Sequence, residues 1–276
     1  MVERRANGGV WRRFVSVPND RLPKALTVVG FVCFVCSLLV ATSSVLLRPR
    51  QLANRAAERA RLIGEILGDV PGLEELTQGL GSIRIETRLV DLESGGFVEG
   101  GEPGAFDART AAEDPARSRA VPPERDLADL GRVAREAIVH IVFDGERVQL
   151  VILPVYGQGF VSTIYGYLAL DGDLNTIRAL VFYEHAETPG LGSMIEDRRW
   201  LAQWRGKLVR DAQGEVRIGV APGPVAAGTP GAVHAVDGLT GATYTAEGVT
   251  SLLRFWLGED GFGPFVKRLA TNGGDG

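Results

Sequence analysis

The sequence predicts an α+β protein in which one N-terminal transmembrane helix precedes a strand-rich, mainly antiparallel domain with a few helices. Three features predict this class: a long charge-free apolar run near the N-terminus, alternating apolar and polar segments joined by Asp-Gly turns, and short helical patterns in the C-terminal third. The chain has 276 residues, of which 45% are hydrophobic and 23% are charged. It is therefore long and apolar enough to bury a globular core.

The charge-free run extends from Ala25 to Leu47. A helix of this length spans about 35 Å, and the hydrocarbon core of a bilayer is about 30 Å thick. A cleaved signal peptide usually has a shorter apolar core, so we expect an uncleaved membrane anchor over residues 25–47, preceded by a tail over residues 1–24. Basic residues flank the run on both sides, and the positive-inside rule therefore does not decide its orientation.

Cys33 and Cys36 lie inside this run at a spacing that places them on one helix face. Two thiolates could supply half of a metal site, but no second pair and no histidine accompanies them. We therefore predict that they are packing residues and that the chain binds no metal.

The region after the anchor begins with a helical pattern. Residues 48–70 are rich in Ala, Leu, Arg and Glu, and they predict a juxtamembrane helix that stops at Pro71-Gly72. Residues 71–136 predict a strand in "SIRIETRLVDL" and then a long surface loop, because the segment from about Glu93 to Gly131 is dense in Gly and Pro.

Residues 137–270 predict the core of the domain. Alternating segments here indicate two hairpins, turned at Asp144-Gly145 and near Asp171-Gly172. Short helices are expected within "EDRRWLAQWRGK" and after Thr245. The predicted body is therefore a mainly antiparallel sheet with helices around it.

Charge and motif content exclude several classes of function. The net charge is −4 and no basic stripe is interleaved with aromatic residues, so we expect no nucleic acid partner. The three histidines, His140, His185 and His234, lack metal-ligand spacing. Neither a serine-centred elbow, a phosphate-binding Walker loop nor a dinucleotide fingerprint occurs in the sequence.

Two glycine-bearing loops remain as candidate sites, and the first is "EHAETPGLGSMI". Gly190 and Gly192 leave the backbone bare around Leu191, a surface that a flat ring could approach closely. The alternative interpretation is a tight turn after a strand.

The second loop is "DGLTGATYT". Gly241 and Ala242 leave the hydroxyl of Thr243 sterically open just before a helix, and Thr245 is predicted as the N-cap of that helix. The helix N-terminus would favour a phosphate beside Thr243. The alternative is a capped helix start with no ligand.

The letters "DGLTGAT" match the pattern D-x-x-(S/T)-G-A-(T/S), which resembles the acceptor motif on which a flavin transferase places FMN through its phosphate. Two bacterial families carry this motif together with "ETPGLG": the C subunit of the sodium-translocating NADH:quinone reductase and the G subunit of the related Rnf complex. The stretches "LRPRQLAN", "ILPVYGQGF", "YGYLALDGDLNTIRALVFYEH" and "FWLGEDGFGPFVKRL" are similar to the first of these families. The Rnf family and a flavin-free structural subunit are the alternatives.

The resemblance implies a set of site residues. By this resemblance Thr243 would carry FMN as a covalent phosphoester, while Thr188 and Leu191 would lie against the flavin, in a loop shaped by Glu187 and Gly190. Gly241, Ala242 and Thr245 complete the predicted cofactor-binding set. The residues that the transferase recognises would be Asp237, Thr240, Gly241, Ala242 and Thr243. The chain departs from the family at Phe160-Val161, where Leu-Trp is usual, and Tyr244 has no predicted role.

The resemblance also implies a function and a location. The FMN-binding domain would lie on the periplasmic side of the bacterial inner membrane, and the N-terminal tail would lie in the cytoplasm. In a six-subunit membrane complex, the flavin would take single electrons from an iron–sulfur centre held by two subunits. It would pass them to a second covalent FMN on another membrane subunit, in a reaction that the complex couples to sodium transport.

Overall fold

Residues 22–68 form a single long helix. A computed structural model describes residues 22–68, 83–226 and 228–272. Helix α1 spans Leu22–Gly68, so the anchor and the juxtamembrane helix that the sequence predicts separately form one continuous helix. Its segment Leu26–Arg48 is long and apolar enough to cross a membrane, and it nearly coincides with the predicted anchor. Most of the predicted tail and the stop at Pro71-Gly72 lie outside the described residues.

The strand-rich body is a separate compact unit from the N-terminal part. Its strands are β1 Ile83–Asp91, β2 Ser118–Ala120, β3 Arg132–Ala134, β4 Glu136–Asp144, β5 Arg147–Gln158, β6 Thr163–Asp171, β7 Ile177–Glu184, β8 Gly219–Val220 and β9 Ala235–Val236. The main sheet has the order β1-β4-β5-β6-β7 and every pairing in it is antiparallel. Short pairs β2-β3 and β8-β9 lie outside it. The predicted antiparallel body is confirmed.

Both predicted hairpins are present. Strands β4 and β5 meet at a turn in which Gly145 has φ of 61°, a left-handed conformation that glycine adopts without steric cost. Strands β6 and β7 meet at a turn that begins after Asp171, and Leu174 N donates to the carbonyl of Asp171 across 2.8 Å.

The two faces of the sheet are both buried at its centre. Val151, Leu153 and Val155 of β5 belong to the main core, and the intervening Ile152 belongs to a smaller cluster. Because successive side chains of a strand point to opposite faces, the smaller cluster lies on the other face of the sheet.

Four helices complete the described body: α2 Ala108–Glu113, α3 Arg198–Ala202, α4 Thr243–Leu257 and α5 Gly263–Asn272. Helix α4 packs on β5, and two glycines allow a very close approach. A Cβ atom on Gly157 would lie 2.6 Å from Leu252 Cβ, and one on Gly248 would lie 2.6 Å from the carbonyl oxygen of Gln158. Trp256 then donates its indole N–H to the carbonyl of Tyr156 across 2.6 Å. The middle and the C-terminal half of α4 are thereby fixed against the end of β5.

The Gly- and Pro-rich segment from Glu93 to Gly131 is not simply a surface loop, and that prediction was wrong. Helix α2 and strand β2 fall within it, and Ala111, Val121 and Ala128 are buried. The inward-facing residues of such short elements do not repeat with a regular period, so the alternation pattern does not reveal them.

Candidate functional site

Three segments that are distant in sequence meet at one end of the sheet. They are the loop Gly159–Ser162 between β5 and β6, the loop that follows β7, and the first turn of α4. A single buried carboxylate, that of Glu187, bonds to the other two segments. Both predicted glycine loops therefore belong to one site.

Glu187 is the centre of this site. Its side chain is only 3% exposed and accepts hydrogen bonds from the backbone N–H groups of Phe160 (3.2 Å), Val161 (3.0 Å) and Ser162 (3.1 Å). Thr245 Oγ1 donates to Oε2 across 2.6 Å. Both oxygens of the buried carboxylate are therefore satisfied, which a buried charge requires.

The environment of Glu187 also sets its protonation. Burial raises the pKa of its carboxyl, but the hydrogen bonds from Thr245 and the backbone amides favour the charged form and outweigh burial. The net pKa lies below the ordinary glutamate value. Glu187 is therefore a carboxylate at neutral pH.

The loop after β7 is a tight turn that exposes Thr188 and Leu191. Leu191 N donates to the carbonyl of Thr188 across 3.1 Å, and Gly190 N donates to Ser193 Oγ across 2.9 Å. Gly190 has φ of 74°, which a residue with a Cβ rarely adopts. The exposed residues predicted to lie against a flat ring are thus presented by a locally fixed backbone.

Gly192 is required at its position by close packing. A Cβ atom there would lie 2.7 Å from Thr245 Oγ1 and 2.9 Å from Glu187 Cβ. The loop, the carboxylate and α4 are therefore in direct contact at this point.

The turn over residues 239–242, just before α4, places Thr243 at the surface. Gly241 has φ of 75°, and a Cβ atom on it would lie 3.0 Å from Leu191 Cδ2. Ala242 N donates to the carbonyl of Leu239 across 3.2 Å. Thr243 is exposed and is the first residue of α4. The structure brings this threonine and Leu191 to the same surface.

The predicted N-cap is wrong. Helix α4 begins two residues earlier than expected, at Thr243, and its N-cap is Ala242, which makes no side-chain capping bond. Thr245 instead lies inside the first turn, 2% exposed, with its hydroxyl on Glu187. The buried carboxylate takes this hydroxyl because a hydrogen bond to a charged acceptor is stronger than a bond to a helix-terminal N–H.

Asp237 anchors the chain just before this turn through three hydrogen bonds. Its Oδ1 accepts from Val225 N across 2.7 Å and its N–H donates to Gln203 Oε1 across 2.9 Å. Its carbonyl accepts from the indole of Trp200 across 2.8 Å. Thr240, the other predicted recognition residue, is exposed.

Sequence reasoning missed Ser162. Its hydroxyl accepts from Ala186 N across 2.7 Å while its own N–H binds Glu187, so it joins the two loops. No local pattern signals this role, because its partners lie more than 20 residues away in sequence.

The residues present fit an FMN phosphoester. The uncapped N-terminus of a 15-residue helix offers N–H groups and a positive dipole end where the phosphate would sit. Thr243 offers an accessible hydroxyl, and Leu191 offers exposed apolar surface for a flat ring. Among the described residues, no cluster of His, Cys, Asp and Glu could hold a metal.

Comparison with known proteins gives consistent matches. A family model described as an FMN-binding domain matches residues 159–258. The chain is 43% identical over 253 residues to the C subunit of a Na(+)-translocating NADH-quinone reductase from Pseudomonas aeruginosa, covering 91% of this chain and 97% of that relative. It is 42% identical over 252 residues to the protein of the same name from Vibrio alginolyticus, covering 91% and 96%.

A solved structure agrees with the sequence matches. The crystal structure of Shewanella oneidensis NqrC superposes with a TM-score of 0.67 at 34% identity, over 78% of this chain and 99% of that one. The similarity therefore covers both the fold and most of the sequence.

Proposed function

The chain belongs to the C-subunit family of the Na(+)-translocating NADH-quinone reductases, and from this we propose that its FMN is joined to Thr243 by a phosphoester. As a family member it is a membrane-anchored, electron-carrying component of a multi-subunit oxidoreductase, with an FMN-binding domain. The proposal concerns how this chain holds the cofactor and how it is placed in the complex.

One observation supports the attachment site above all others. Thr243 is exposed, and it begins a helix whose N-terminus has no side-chain cap. A phosphate on its Oγ1 would lie where backbone N–H groups lack side-chain acceptors and where the helix dipole favours negative charge. The phosphate would then take the capping role that Ala242 cannot perform.

The surrounding residues have separate roles in this proposal. Leu191 and Thr188 contact the isoalloxazine ring in this proposal. Glu187 and Thr245, which are buried under that surface, hold the two loops and α4 together by hydrogen bonds. FMN itself supplies one-electron transfer, and the protein supplies binding, orientation and electrostatics. A covalent link keeps the cofactor from diffusing away.

The proposal extends to maturation and placement. A flavin transferase would recognise Asp237, Thr240, Gly241, Ala242 and Thr243, and the FMN domain would lie on the periplasmic side of the inner membrane. Partner subunits would hold the iron–sulfur centre and a second covalent FMN, and the assembled complex would couple electron transfer to sodium transport. The apolar segment of α1 supports the membrane anchorage that this placement needs.

The test is covalent labelling. The full chain is co-expressed with a flavin transferase and resolved on a denaturing gel viewed under ultraviolet light. We expect a fluorescent band for the wild type and for Thr243→Ser, which retains a hydroxyl, and a dark band for Thr243→Ala. Thr271→Ala, at an exposed threonine of α5, is the matched control and stays fluorescent.

Two outcomes would contradict the proposal. A dark wild-type band would indicate a flavin-free structural protein, and a fluorescent Thr243→Ala band would place the flavin on another residue.

A further inference from the structure

Two aromatic side chains lie in solvent beside the acceptor threonine. The rings of Phe160 and Tyr244 are stacked, with centroids 5.4 Å apart and planes inclined by 16°. Their side chains are nevertheless 60% and 67% exposed, and Tyr244 directly follows Thr243 in the chain. Contiguous exposed apolar surface of this kind usually marks a binding site.

Both rings are attached to a fixed backbone. Phe160 N donates to Glu187, as do the next two backbone N–H groups. Tyr244 belongs to the first turn of α4, and the packing of Gly248 against the backbone of Gln158 and Gly159 fixes that helix against the Phe160 loop. The pair is therefore a preformed surface.

This surface is continuous with the rest of the candidate site. Leu191 lies against Gly241, two residues before Thr243, and Tyr244 lies one residue after it. An occupant attached to Thr243 would therefore have exposed apolar groups beside it from three different segments of the chain.

We infer that Phe160 and Tyr244 form a stacking platform for the isoalloxazine ring of the FMN on Thr243, an inference that rests on the proposed function. Flat aromatic rings associate through offset stacking. An isoalloxazine ring tethered to Thr243 has a high effective concentration at the neighbouring Tyr244. Tethering therefore favours stacking of this ring over binding of a free molecule that must diffuse to the surface. Phe160 and Tyr244 are thus positioning residues that orient the ring.

Flavin fluorescence tests the inference without measuring activity. The phenol of a tyrosine in contact with an excited flavin quenches the flavin emission, because it donates an electron to the excited ring and the charges then recombine without light emission. A phenylalanine or leucine side chain does not donate this electron. The detergent-purified full chain, co-expressed with a flavin transferase, is compared with Tyr244→Phe and Tyr244→Leu. Each sample is measured folded and then unfolded, so that emission is normalised to the covalent flavin present.

We expect unchanged covalent flavin and a several-fold rise in folded-state emission for both Tyr244 variants. In Phe160→Leu the side chain of Tyr244 loses the ring against which it stacks, and we expect the flavin to become more accessible to iodide quenching. Tyr167→Phe, at a buried tyrosine of β6, is the control and leaves the emission unchanged.

The outcomes separate this inference from the proposed function. If both Tyr244 variants carry flavin on Thr243 and their emission is unaltered, the stacking inference is wrong. If partner subunits are instead lost from those variants when the complex is purified, the surface is a protein-docking site and the stacking inference is also wrong. Absence of flavin from the wild type overturns the proposed function itself.

Discussion

Thr245 Oγ1 donates a hydrogen bond to Oε2 of the buried Glu187 across 2.6 Å, joining residues that lie 58 positions apart. Because the same carboxylate also binds three consecutive backbone N–H groups after β5, this pair holds together the three segments that meet near Thr243. The buried hydrogen bond between Thr245 and Glu187 thereby fixes the positions of the exposed residues Leu191 and Thr243.

Removal of the Thr245 hydroxyl tests the contribution of this bond. Thr245→Val preserves the shape of the side chain but leaves a carboxylate oxygen with one donor fewer, so we expect the free energy of unfolding to fall by about 1.5–3 kcal/mol. Urea denaturation of the flavin-free chain measures it. Thr240→Val, at an exposed position, should change stability by less than about 0.5 kcal/mol, and equal effects in the two variants would contradict the role of the bond.

The pH dependence of stability tests the charge on Glu187. Its pKa is lower in the folded chain than the ordinary glutamate value of about 4.3, so its contribution is full above that value and is lost as pH falls through the folded pKa. We expect the free energy of unfolding to decline as the pH falls below about 4.3 and through the folded pKa, with a shallower slope in Glu187→Gln. Glu247→Gln, at an exposed position of α4, is the control and should show the same pH dependence of stability as the wild type. An equally shallow slope in Glu247→Gln and Glu187→Gln would contradict the assignment of this pH dependence to Glu187.

Gly192→Ala tests the tight packing below the loop. The added Cβ would lie 2.7 Å from Thr245 Oγ1 and 2.9 Å from Glu187 Cβ, so the contact must open, at a cost of about 1–3 kcal/mol. We also expect less covalent flavin per chain, because the surface around Thr243 is displaced. Gly104→Ala, where a Cβ would meet no atom within 4 Å, is the control, and matching melting curves for the two variants would disprove the packing argument.

Arg109 links α2 to the end of β7. Its guanidinium makes two bonds to Glu184, of 3.0 and 2.7 Å, and lies 3.7 Å from the centroid of the Tyr165 ring. Lysine cannot make the paired bonds and the ring contact together, so Arg109→Lys should lower the free energy of unfolding by about 1 kcal/mol. Arg147→Lys, at an exposed position, should be close to neutral in the same denaturation experiment. A neutral Arg109→Lys would show that the contact adds nothing.

Local patterns determined much of the architecture. The apolar run marks a helix that can span a membrane, because backbone groups in lipid must be satisfied within the segment. The Asp-Gly turns identified both hairpins, and in the first of them glycine permits the positive φ seen at Gly145. The letters around Thr243, which are contiguous in sequence, carry the resemblance to a flavin-acceptor motif.

Only the tertiary structure decided which residues of the site work together. The sequence predicts Thr245 as a helix cap, but the fold buries Glu187 next to the first turn of α4. Because a buried carboxylate must be hydrogen-bonded, the hydroxyl of Thr245 donates to Glu187 instead of capping the helix. Phe160 and Tyr244 likewise stack only when the end of β5 meets the start of α4, and Ser162 acquires its partner Ala186 only when the loop after β5 meets the loop after β7. Such contacts depend on distance in space between segments far apart in the chain, and no short-range pattern of residue types encodes that distance.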